Sequence, residues 1–346
     1  SMQPAETDNP LFAASPVVEA PTPPVVVVGL PRSGSSFLSH VLSTLDGWYV
    51  FDDLYLYQRA RAIGADEGLL SAEALRGLTS YLGWTVRARI KFEDSFFTPQ
   101  CTWEDVDRMV EAVNAALSGR QVRWQDLLEE WLTRLARHHG RRRWGYKTPQ
   151  DFMHLDTLAK TFPGVRFVFI MRDPRAMMAS MKYVRAEDGD PRQYHPVAYA
   201  LYWKMAHRAM ARFLERGGAP MEVVRFEELV ADPDAVAARL GAFLKADVTG
   251  PVPVRGKNTS FGSGPRKTIT ETERWICERL AGETMSHAGY PPEGARPRLR
   301  DLGDLLRTTA RFSVYQSGRL LTRGDARGSV AAFLRTLLRS RKGKRE

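Results

Sequence analysis

Two continuous apolar runs mark the strands of a buried sheet. They cover residues 25–28, which are all valine, and residues 165–171, which are apolar apart from Arg166. A strand that is covered on both faces of a parallel sheet has this composition, whereas a half-exposed strand alternates between apolar and polar residues. We therefore predict two central parallel strands. Weaker patterns predict two more short strands, at residues 49–51 and 221–225.

Helical spacing of apolar residues follows the first strand and recurs along the chain. Within residues 35–45, the side chains of Phe37, Leu38, Val41 and Leu42 fall on one face of a helix. The same spacing predicts helices over residues 124–138, 152–161, 175–183, 197–216, 233–244 and 271–287. This alternation of strands and helices predicts an α/β fold with three layers around a parallel sheet.

Composition divides the chain into three parts. Residues 1–24 are rich in proline and acidic side chains and begin with what resembles an expression scar, so we interpret them as a disordered leader. Residues 25–290 form the predicted main domain, with a helical insertion at residues 54–145. Residues 291–346 begin as a linker rich in arginine and proline and continue into a helical tail with basic surfaces.

Charge and cysteine content narrow the class of protein. The chain carries 50 Lys and Arg against 40 Asp and Glu, a net charge of +10 that suits an anionic ligand. No nucleic-acid-binding motif accompanies this charge, so we predict no nucleic-acid partner. Cys101 and Cys277 lie far apart, which argues against a disulfide framework or a CxxC metal site. We therefore predict no metal site and a reducing compartment. No apolar run is long enough to span a bilayer, so we predict a cytoplasmic protein.

A glycine-rich turn joins the first strand to the first helix. Its sequence, Gly-Leu-Pro-Arg-Ser-Gly-Ser-Ser over residues 29–36, has the strand, loop and helix context of a P-loop-like phosphate-binding turn. The N-terminus of the helix and the hydroxyls of Ser35 and Ser36 favour an anion there. Ser35 occupies the position of the Walker A lysine, whereas Arg32 lies earlier, so the turn suits one 5′-phosphate better than a triphosphate with Mg²⁺. An ordinary strand-to-helix turn is the alternative.

Residues 29–36 resemble the 5′-phosphosulfate loop of sulfotransferases that use 3′-phosphoadenosine-5′-phosphosulfate (PAPS). The GxPRSGTT form of this loop is shared by the bacterial branch and the tyrosylprotein sulfotransferases. Residues 168–175, followed by Ser180, resemble the 3′-phosphate motif of the same family, and the resemblance implies that Arg172 and Ser180 hold that phosphate. A strand would deliver Arg172 to the carboxyl edge of the sheet, where open α/β sheets bind ligands. A surface ion pair or helix cap formed by Arg172 and Asp173 is the alternative.

Four weaker matches extend the resemblance over residues 25–290. They lie at residues 144–149, 225–229, 257–261 and 275–290. The second of them implies that Phe226 lies near the adenine of the donor. The family pattern also implies that the helical insertion faces the acceptor.

The resemblance implies donor-binding and catalytic roles for named residues. The donor-binding residues are Pro31, Arg32, Ser33, Gly34, Ser35, Ser36, Arg172, Ser180 and Phe226. Arg266 and Lys267 lie in a predicted loop and either close over the 3′-phosphate or are solvated. Lys147 and Arg32 are expected to stabilise the sulfuryl oxygens and the leaving oxygen, and Ser260 to donate to the bridging oxygen.

Three residues are candidates for the general base. In the tyrosylprotein branch a glutamate follows the loop arginine by 21 residues, and from Arg32 this spacing reaches Asp53, which we predict as the base. The neighbouring Asp52 and the more distant His154 are substitutes, because other sulfotransferases use histidine. Two solvated aspartates in a turn and a structural histidine are the alternatives.

The predicted function is transfer of the sulfuryl group of PAPS to an acceptor hydroxyl by in-line displacement, with release of 3′-phosphoadenosine 5′-phosphate (PAP). The acceptor is a saccharide, a lipid, a peptide tyrosine or a natural product. A P-loop kinase or nucleotide hydrolase is one alternative, and a non-catalytic nucleotide- or polyanion-binding module is another. The basic tail either contacts a membrane surface or a partner, or packs on the core.

Overall fold

The computed structural model describes residues 9–91, 101–253 and 267–322. Its five strands form one sheet in the order β2-β3-β1-β4-β5, and all neighbouring strands are parallel. The strands are β1 (Val25–Gly29), β2 (Trp48–Phe51), β3 (Arg143–Lys147), β4 (Arg166–Met171) and β5 (Met221–Arg225). The predicted α/β fold around a parallel sheet is confirmed.

Helices connect these strands and extend beyond them. They are α1 (Ser35–Leu42), α2 (Leu56–Ala62), α3 (Ala72–Lys91), α4 (Trp103–Leu117), α5 (Trp124–His138), α6 (Leu155–Thr161), α7 (Pro174–Lys182), α8 (Pro196–Glu215), α9 (Phe226–Ala231), α10 (Pro233–Leu244), α11 (Glu271–His287) and α12 (Leu302–Thr322). The bounds of α5, α10 and α11 coincide with the predicted ones. The predicted insertion is helical, as α2 to α5 show.

Strand β3 was not predicted, although it lies between β2 and β1 in the sheet. Its sequence, Arg-Trp-Gly-Tyr-Lys, has a charged residue at each end and a glycine in the middle, so it lacks the apolar run that marks its neighbours. Gly145 is required there, because a Cβ atom would lie 2.3 Å from Cγ1 and 2.5 Å from the carbonyl oxygen of Val25. The close approach of β1 therefore requires glycine at position 145, and this glycine is one reason why the sequence pattern did not predict β3.

Two predicted helices differ from the structure at turns. The helix predicted over residues 152–161 is divided, because a 3₁₀ helix at Pro149–His154 precedes α6. The helix predicted over residues 35–45 ends at Leu42, since the amides of Thr44 and Leu45 bond to carbonyl oxygens three residues back. A 3₁₀ turn tightens a helix end in this way.

The hydrophobic core packs α1 and α10 against one face of the sheet. Val25 and Val27 of β1 are fully buried there with Leu38 and Val41 of α1 and Leu240 of α10. Burial of a large aliphatic side chain of this kind stabilises a fold by about 1.5–3 kcal/mol. This core fixes the end of β1 relative to the start of α1, which is where the glycine-rich turn lies.

The N-terminal segment is attached to the helical insertion. The guanidinium of Arg134, which is fully buried on α5, donates hydrogen bonds to three main-chain carbonyl oxygens, those of Leu11, Ala13 and Ser15. Carboxylates of the same helix accept hydrogen bonds from main-chain amides, Glu130 from Val17 and Val18 and Glu129 from Thr22. The interpretation of residues 1–24 as a disordered leader is therefore wrong for residues 9–24. The composition of the segment does not reveal this attachment, because the segment contributes main-chain groups to these hydrogen bonds.

The described residues fall into two compact units. The first comprises those within Ser1–Arg172 and Ala206–Gly256 and contains the whole sheet, and the second comprises those within Asp173–Met205 and Lys257–Glu346. In the second unit, the ammonium group of Lys182 pairs with Glu273 at 2.8 Å and Asp304 at 2.6 Å. Helix α12 therefore belongs with α7 and α11, and the predicted boundary at residue 290 does not separate them.

Helix α12 is the described part of the basic extension. Several apolar side chains of this helix are exposed, among them Leu302, Leu306 and Val314. Residues 323–346, where the remaining tail was predicted, lie outside the described residues, so a tail contact with a membrane or partner stays a prediction. Within the described part of the chain, no helix is both long and apolar enough to cross a bilayer.

Candidate active site

The turn between β1 and α1 has the backbone geometry of an anion-binding loop. Arg32 has a φ of 70° and Gly34 a φ of 92°, so two of its residues adopt the left-handed region. Both donors of Ser33 point to the carbonyl oxygen of Leu30, the amide at 3.3 Å and Oγ at 2.6 Å. Ser33 therefore shapes the turn, while the first amides of α1, from Ser35 onward, have no acceptor within the helix.

Arg172 and Phe226 lie against this turn. Nη1 of Arg172 donates to the carbonyl oxygen of Arg32 at 2.9 Å, and its guanidinium carbon lies 4.1 Å from the centroid of the Phe226 ring. A Cβ atom at Gly34 would lie 2.3 Å from that ring, so only glycine fits there. The ends of β1, β4 and β5 thus bring together a glycine turn, an arginine and an aromatic ring, three parts of the predicted donor site.

Asp173 has a structural role beside Arg172. Its carboxylate caps α7 by accepting from the amide of Arg175 at 2.8 Å, and the Arg175 guanidinium pairs with it, also at 2.8 Å. The alternative in which Asp173 acts as a helix cap is thus correct for Asp173, whereas Arg172 contacts the turn. Ser180 is buried in α7, and its predicted phosphate contact stays a prediction.

Asp52 and Asp53 lie between two cations directly after β2. The ammonium group of Lys147, at the end of β3, lies 2.7 Å from Oδ1 of Asp52 and 2.6 Å from Oδ1 of Asp53. Parallel strands end at one edge of a sheet, so the register of β2 and β3 explains this meeting. Two predicted catalytic residues and one substitute are therefore in direct contact.

Arg89 of α3 holds the other oxygen of each carboxylate. Nη1 lies 3.1 Å from Oδ2 of Asp52, and Nη2 lies 2.9 Å from Oδ2 of Asp53 and 3.0 Å from the main-chain oxygen of Asp52. The sequence analysis missed Arg89. It is one of several arginines in the helical insertion, and no motif or spacing distinguishes it from Arg87, two residues earlier.

Burial separates the two carboxylates. The Asp52 side chain is 2% exposed and that of Asp53 is 42% exposed. Burial raises the pKa of Asp52, but Lys147 and Arg89 outweigh this effect and hold it below its ordinary value. Burial likewise lowers the pKa of Lys147, yet the two carboxylates raise it above its ordinary value. Asp52 and Lys147 are thus both charged at neutral pH.

Lys147 also reaches the start of α1. Its ammonium group donates to Oγ of Ser36 at 3.0 Å, and that hydroxyl donates to Oδ1 of Asp52 at 3.2 Å. Ser35 stands where a Walker A loop has its lysine. In this structure the ammonium group of Lys147, at the end of β3, contacts Ser36, the residue after Ser35. Lys147 thereby connects the carboxylate pair to the turn.

His154 lies in a different environment from the carboxylate pair. Its Nε2 atom is 3.0 Å from Nη1 of Arg61, and its ring meets the edge of the Tyr57 ring. Burial and the positive charge of Arg61 lower the pKa of His154 to about 4, so the ring is neutral. Its recorded contacts are with residues of α2, as expected for a structural histidine.

A buried carboxyl group that the sequence analysis did not select lies four residues after Lys147. Asp151 is fully buried and accepts a hydrogen bond from Nε2 of Gln58 at 3.1 Å. Burial raises its pKa to about 7. No motif marks this aspartate, and only its burial sets it apart.

The remaining predicted residues are placed as follows. Ser260 and Arg266 lie outside the described residues. Pro31 lies in the turn itself, and the ammonium group of Lys267 lies 5.2 Å from the centroid of the Tyr183 ring. Across the described ranges, no group of three or more His, Cys, Asp or Glu side chains is arranged to hold a metal ion.

A sequence model of the sulfotransferase family matches residues 23–250, which is more than half of the chain. The chain therefore belongs to the sulfotransferase family, a family of transferases, and the resemblance of its motifs is confirmed. No curated protein matches the chain.

Among solved structures, the chain is similar to three bacterial sulfotransferases. The sulfotransferase domain of the olefin synthase from Synechococcus PCC 7002 is 21% identical over 86% of this chain and 97% of that one, with a TM-score of 0.42. A sulfotransferase from Alicyclobacillus acidocaldarius is 17% identical over 86% and 96%, with a TM-score of 0.41. One from Mycobacterium avium is 17% identical over 78% and 77%, with a TM-score of 0.42.

Proposed function

We propose that the protein transfers the sulfuryl group of PAPS to a hydroxyl group of an acceptor. The observation that carries this proposal is the contact of Lys147 with both Ser36 of the turn and the carboxylate of Asp53. A cation that contacts both the start of a phosphate-binding helix and a carboxylate base is suitably placed for in-line transfer to a bound hydroxyl.

The residues of the turn fit a phosphate ester. A glycine that no side chain can replace, a helix N-terminus and an arginine beside the turn are the features that bind such a group. We assign the 5′-phosphosulfate end of the donor to residues 31–36. Arg172 takes the 3′-phosphate and Phe226 contacts the adenine, whereas for Ser180 and Lys267 the sequence motifs alone support a donor contact.

Each charged residue has one task in the transfer. PAPS supplies a sulfuryl group whose bond to the 5′-phosphate oxygen breaks as a bond to the acceptor oxygen forms, so that PAP leaves with the electron pair. The carboxylate of Asp53 accepts the proton of the acceptor hydroxyl. Lys147 and Arg32 stabilise the negative charge on the sulfuryl and leaving oxygens.

Asp53 is a better candidate for the base than Asp52 or His154. Its carboxylate is the exposed member of the pair, at 42% against 2%, and an acceptor must reach the base from solvent. The Asp52 carboxylate already accepts hydrogen bonds from Lys147 and Ser36 and forms an ion pair with Arg89. His154 contacts residues of α2 instead.

The acceptor is a hydroxyl compound such as a saccharide, a lipid, a peptide tyrosine or a natural product. We assign the protein to the cytoplasm, because Cys101 and Cys277 are both free thiols, as is usual in a reducing compartment.

The donor assignment is tested by thermal unfolding with PAP, with ATP and Mg²⁺, and with NAD. A ligand that binds only the folded state raises the free energy of unfolding, by about 2.7 kcal/mol when its concentration is one hundred times its Kd, and the Tm rises with it. We expect PAP to raise it and the others to have little effect. Consumption of ³⁵S-labelled PAPS with a panel of phenols, saccharides and alcohols then tests transfer. A rise with ATP and Mg²⁺ alone would instead support a kinase or hydrolase, and PAP binding without any transfer would support a binding module.

A further inference from the structure

The carboxylate pair is held by two cations in a closed arrangement. Oδ1 of both Asp52 and Asp53 faces Lys147, and Oδ2 of both faces Arg89, with all four distances between 2.6 and 3.1 Å. Arg89 and Lys147 therefore both form ion pairs with Asp53, the predicted base. The sulfotransferase motifs of this sequence account for Lys147 but not for Arg89.

The ammonium group of Lys147 has no donor left over. It has three N–H bonds, and three acceptors surround it, namely Oδ1 of Asp52, Oδ1 of Asp53 and Oγ of Ser36. If Lys147 stabilises a sulfuryl oxygen, one of these contacts must be released. Asp53 is the exposed partner, so its contact costs the least to exchange for another.

Arg89 contacts Asp53 independently of Lys147. Its Nη2 atom contacts both the Asp53 carboxylate and the main-chain oxygen of Asp52, so it holds the side chain and the backbone before it. Asp53 has a φ of 53°, in the left-handed region, where an aspartate needs support from its surroundings. Only the planar guanidinium fork provides several donors in such a fixed geometry.

We propose, on the basis of the function proposed above, that Arg89 is a positioning residue that orients Asp53 toward the acceptor hydroxyl and keeps Asp52 as its anionic neighbour. Asp52 stays buried between the two cations, and Asp53 alone meets the acceptor. The exposed carboxylate of the pair is thereby available for proton transfer while its backbone stays fixed.

Other groups that face the pair do not duplicate this role. Ser36 of α1 is neutral, and Tyr81 of α3, whose charge would interact with Asp53, has its pKa raised by burial and is uncharged at neutral pH. Tyr49 of β2 interacts with Arg89, but burial raises its pKa as well. Among the described residues in contact with the pair, Arg89 and Lys147 thus supply the positive charge.

The first experiment measures kcat/KM against pH for the wild type, Arg89→Met, Arg89→Lys and the control Arg87→Met. Arg87 lies on the same helix and pairs with Asp107 away from the site. Lys147 and Arg89 hold the pKa of Asp52 below its ordinary value, so loss of the Arg89 charge raises that pKa and lets Asp52 become neutral at a higher pH. We expect the acidic limb of the Arg89→Met profile to move to higher pH, because a neutral Asp52 no longer serves as the anionic neighbour of Asp53.

At pH 7 we expect the kcat of Arg89→Met to fall at least about tenfold while the KM for PAPS changes little, because general-base catalysis contributes 10²–10⁴-fold. Arg89→Lys retains the charge without the fork, so its acidic limb should stay near that of the wild type while kcat falls. Arg87→Met should match the wild type in both respects. An Arg89→Met profile that coincides with that of the wild type overturns the proposal.

A second measurement does not depend on activity. The urea midpoints of the wild type, Arg89→Met, Asp53→Asn and the double variant form a cycle, with Arg89→Lys replacing Arg89→Met if the latter does not fold. We expect the double variant to lose less than the sum of the single losses. Additive losses mean that the contact is absent in solution and overturn the proposal. If the wild type neither binds PAP nor transfers a sulfuryl group, but the cycle shows coupling between Arg89 and Asp53, the proposed function is disproved and the contact between the two residues is not.

Discussion

Asp52 and Asp53 are adjacent in the sequence, yet the fold gives them different surroundings. A left-handed φ at Asp53 turns its side chain to solvent, while Asp52 is buried against Lys147 and Arg89. Spacing from Arg32 selected Asp53 but left open which of the two carboxylates faces the acceptor, because burial depends on β3 and α3, which are distant in the sequence. The same applies to Arg89, which nothing in the sequence distinguishes.

The substitution Asp53→Asn tests the role of the exposed carboxylate. We expect turnover to fall by about 10²-fold or more, since an amide does not accept the proton. The rise in Tm with PAP should be retained, because Asp53 does not belong to the phosphate-binding turn. Asp46→Asn is the matched control, as Asp46 is an exposed aspartate that pairs with Arg142. Equal loss of PAP binding and turnover in Asp53→Asn would exclude it as the base.

At the scale of elements, the glycine turn and the strands around it are the most predictable part of the molecule. Apolar runs predicted β1 and β4 within one residue of their observed ends, because strands buried on both faces exclude polar side chains. Strand β3 escaped prediction since the charged Arg143 and Lys147 at its ends and Gly145 in its middle interrupt the apolar run, although Lys147 is buried. The lysine that we propose to act in the transfer is thus one of the residues that concealed the strand.

The turn is tested by Gly34→Ala. A side chain at this position would overlap the ring of Phe226 and would have to adopt a φ of 92°. We expect the rise in Tm with PAP to be lost while the variant still folds. Gly77→Ala is the control, because Gly77 lies in α3 with no neighbour within 4 Å of an added Cβ, and it should gain about 0.5–1 kcal/mol of stability. Unchanged PAP binding in Gly34→Ala would remove the turn from the donor site.

At the scale of the whole molecule, the sequence predicted the α/β class, the helical insertion and the family, but it did not predict how the chain begins. Local periodicity reports the faces of strands and helices, whereas the N-terminal segment is held by main-chain groups. Its proline-rich composition is typical of a disordered leader. Only the buried side chains of α5 show that the segment completes the first unit.

The substitution Arg134→Met tests the importance of this attachment. It removes three hydrogen bonds to the N-terminal segment and leaves the buried carboxylate of Glu130 without its cation. Loss of one partner of a buried pair costs about 3–5 kcal/mol, so we expect a large fall in the urea midpoint and earlier proteolysis near residue 15. Arg137→Met, at an exposed position of the same helix, should change the midpoint little. A midpoint like that of the wild type would show that the segment is not held in solution.

Because α5 binds carbonyl oxygens and amides, these hydrogen bonds do not depend on which side chains the segment carries, whereas the buried side chains of Leu11 and Val17 add apolar packing. Proline is the exception at Val17, Val18 and Thr22, whose amides donate to the glutamates, since proline has no N–H group to donate. Three charged residues of one helix thereby hold the segment through main-chain atoms that nearly every amino acid supplies.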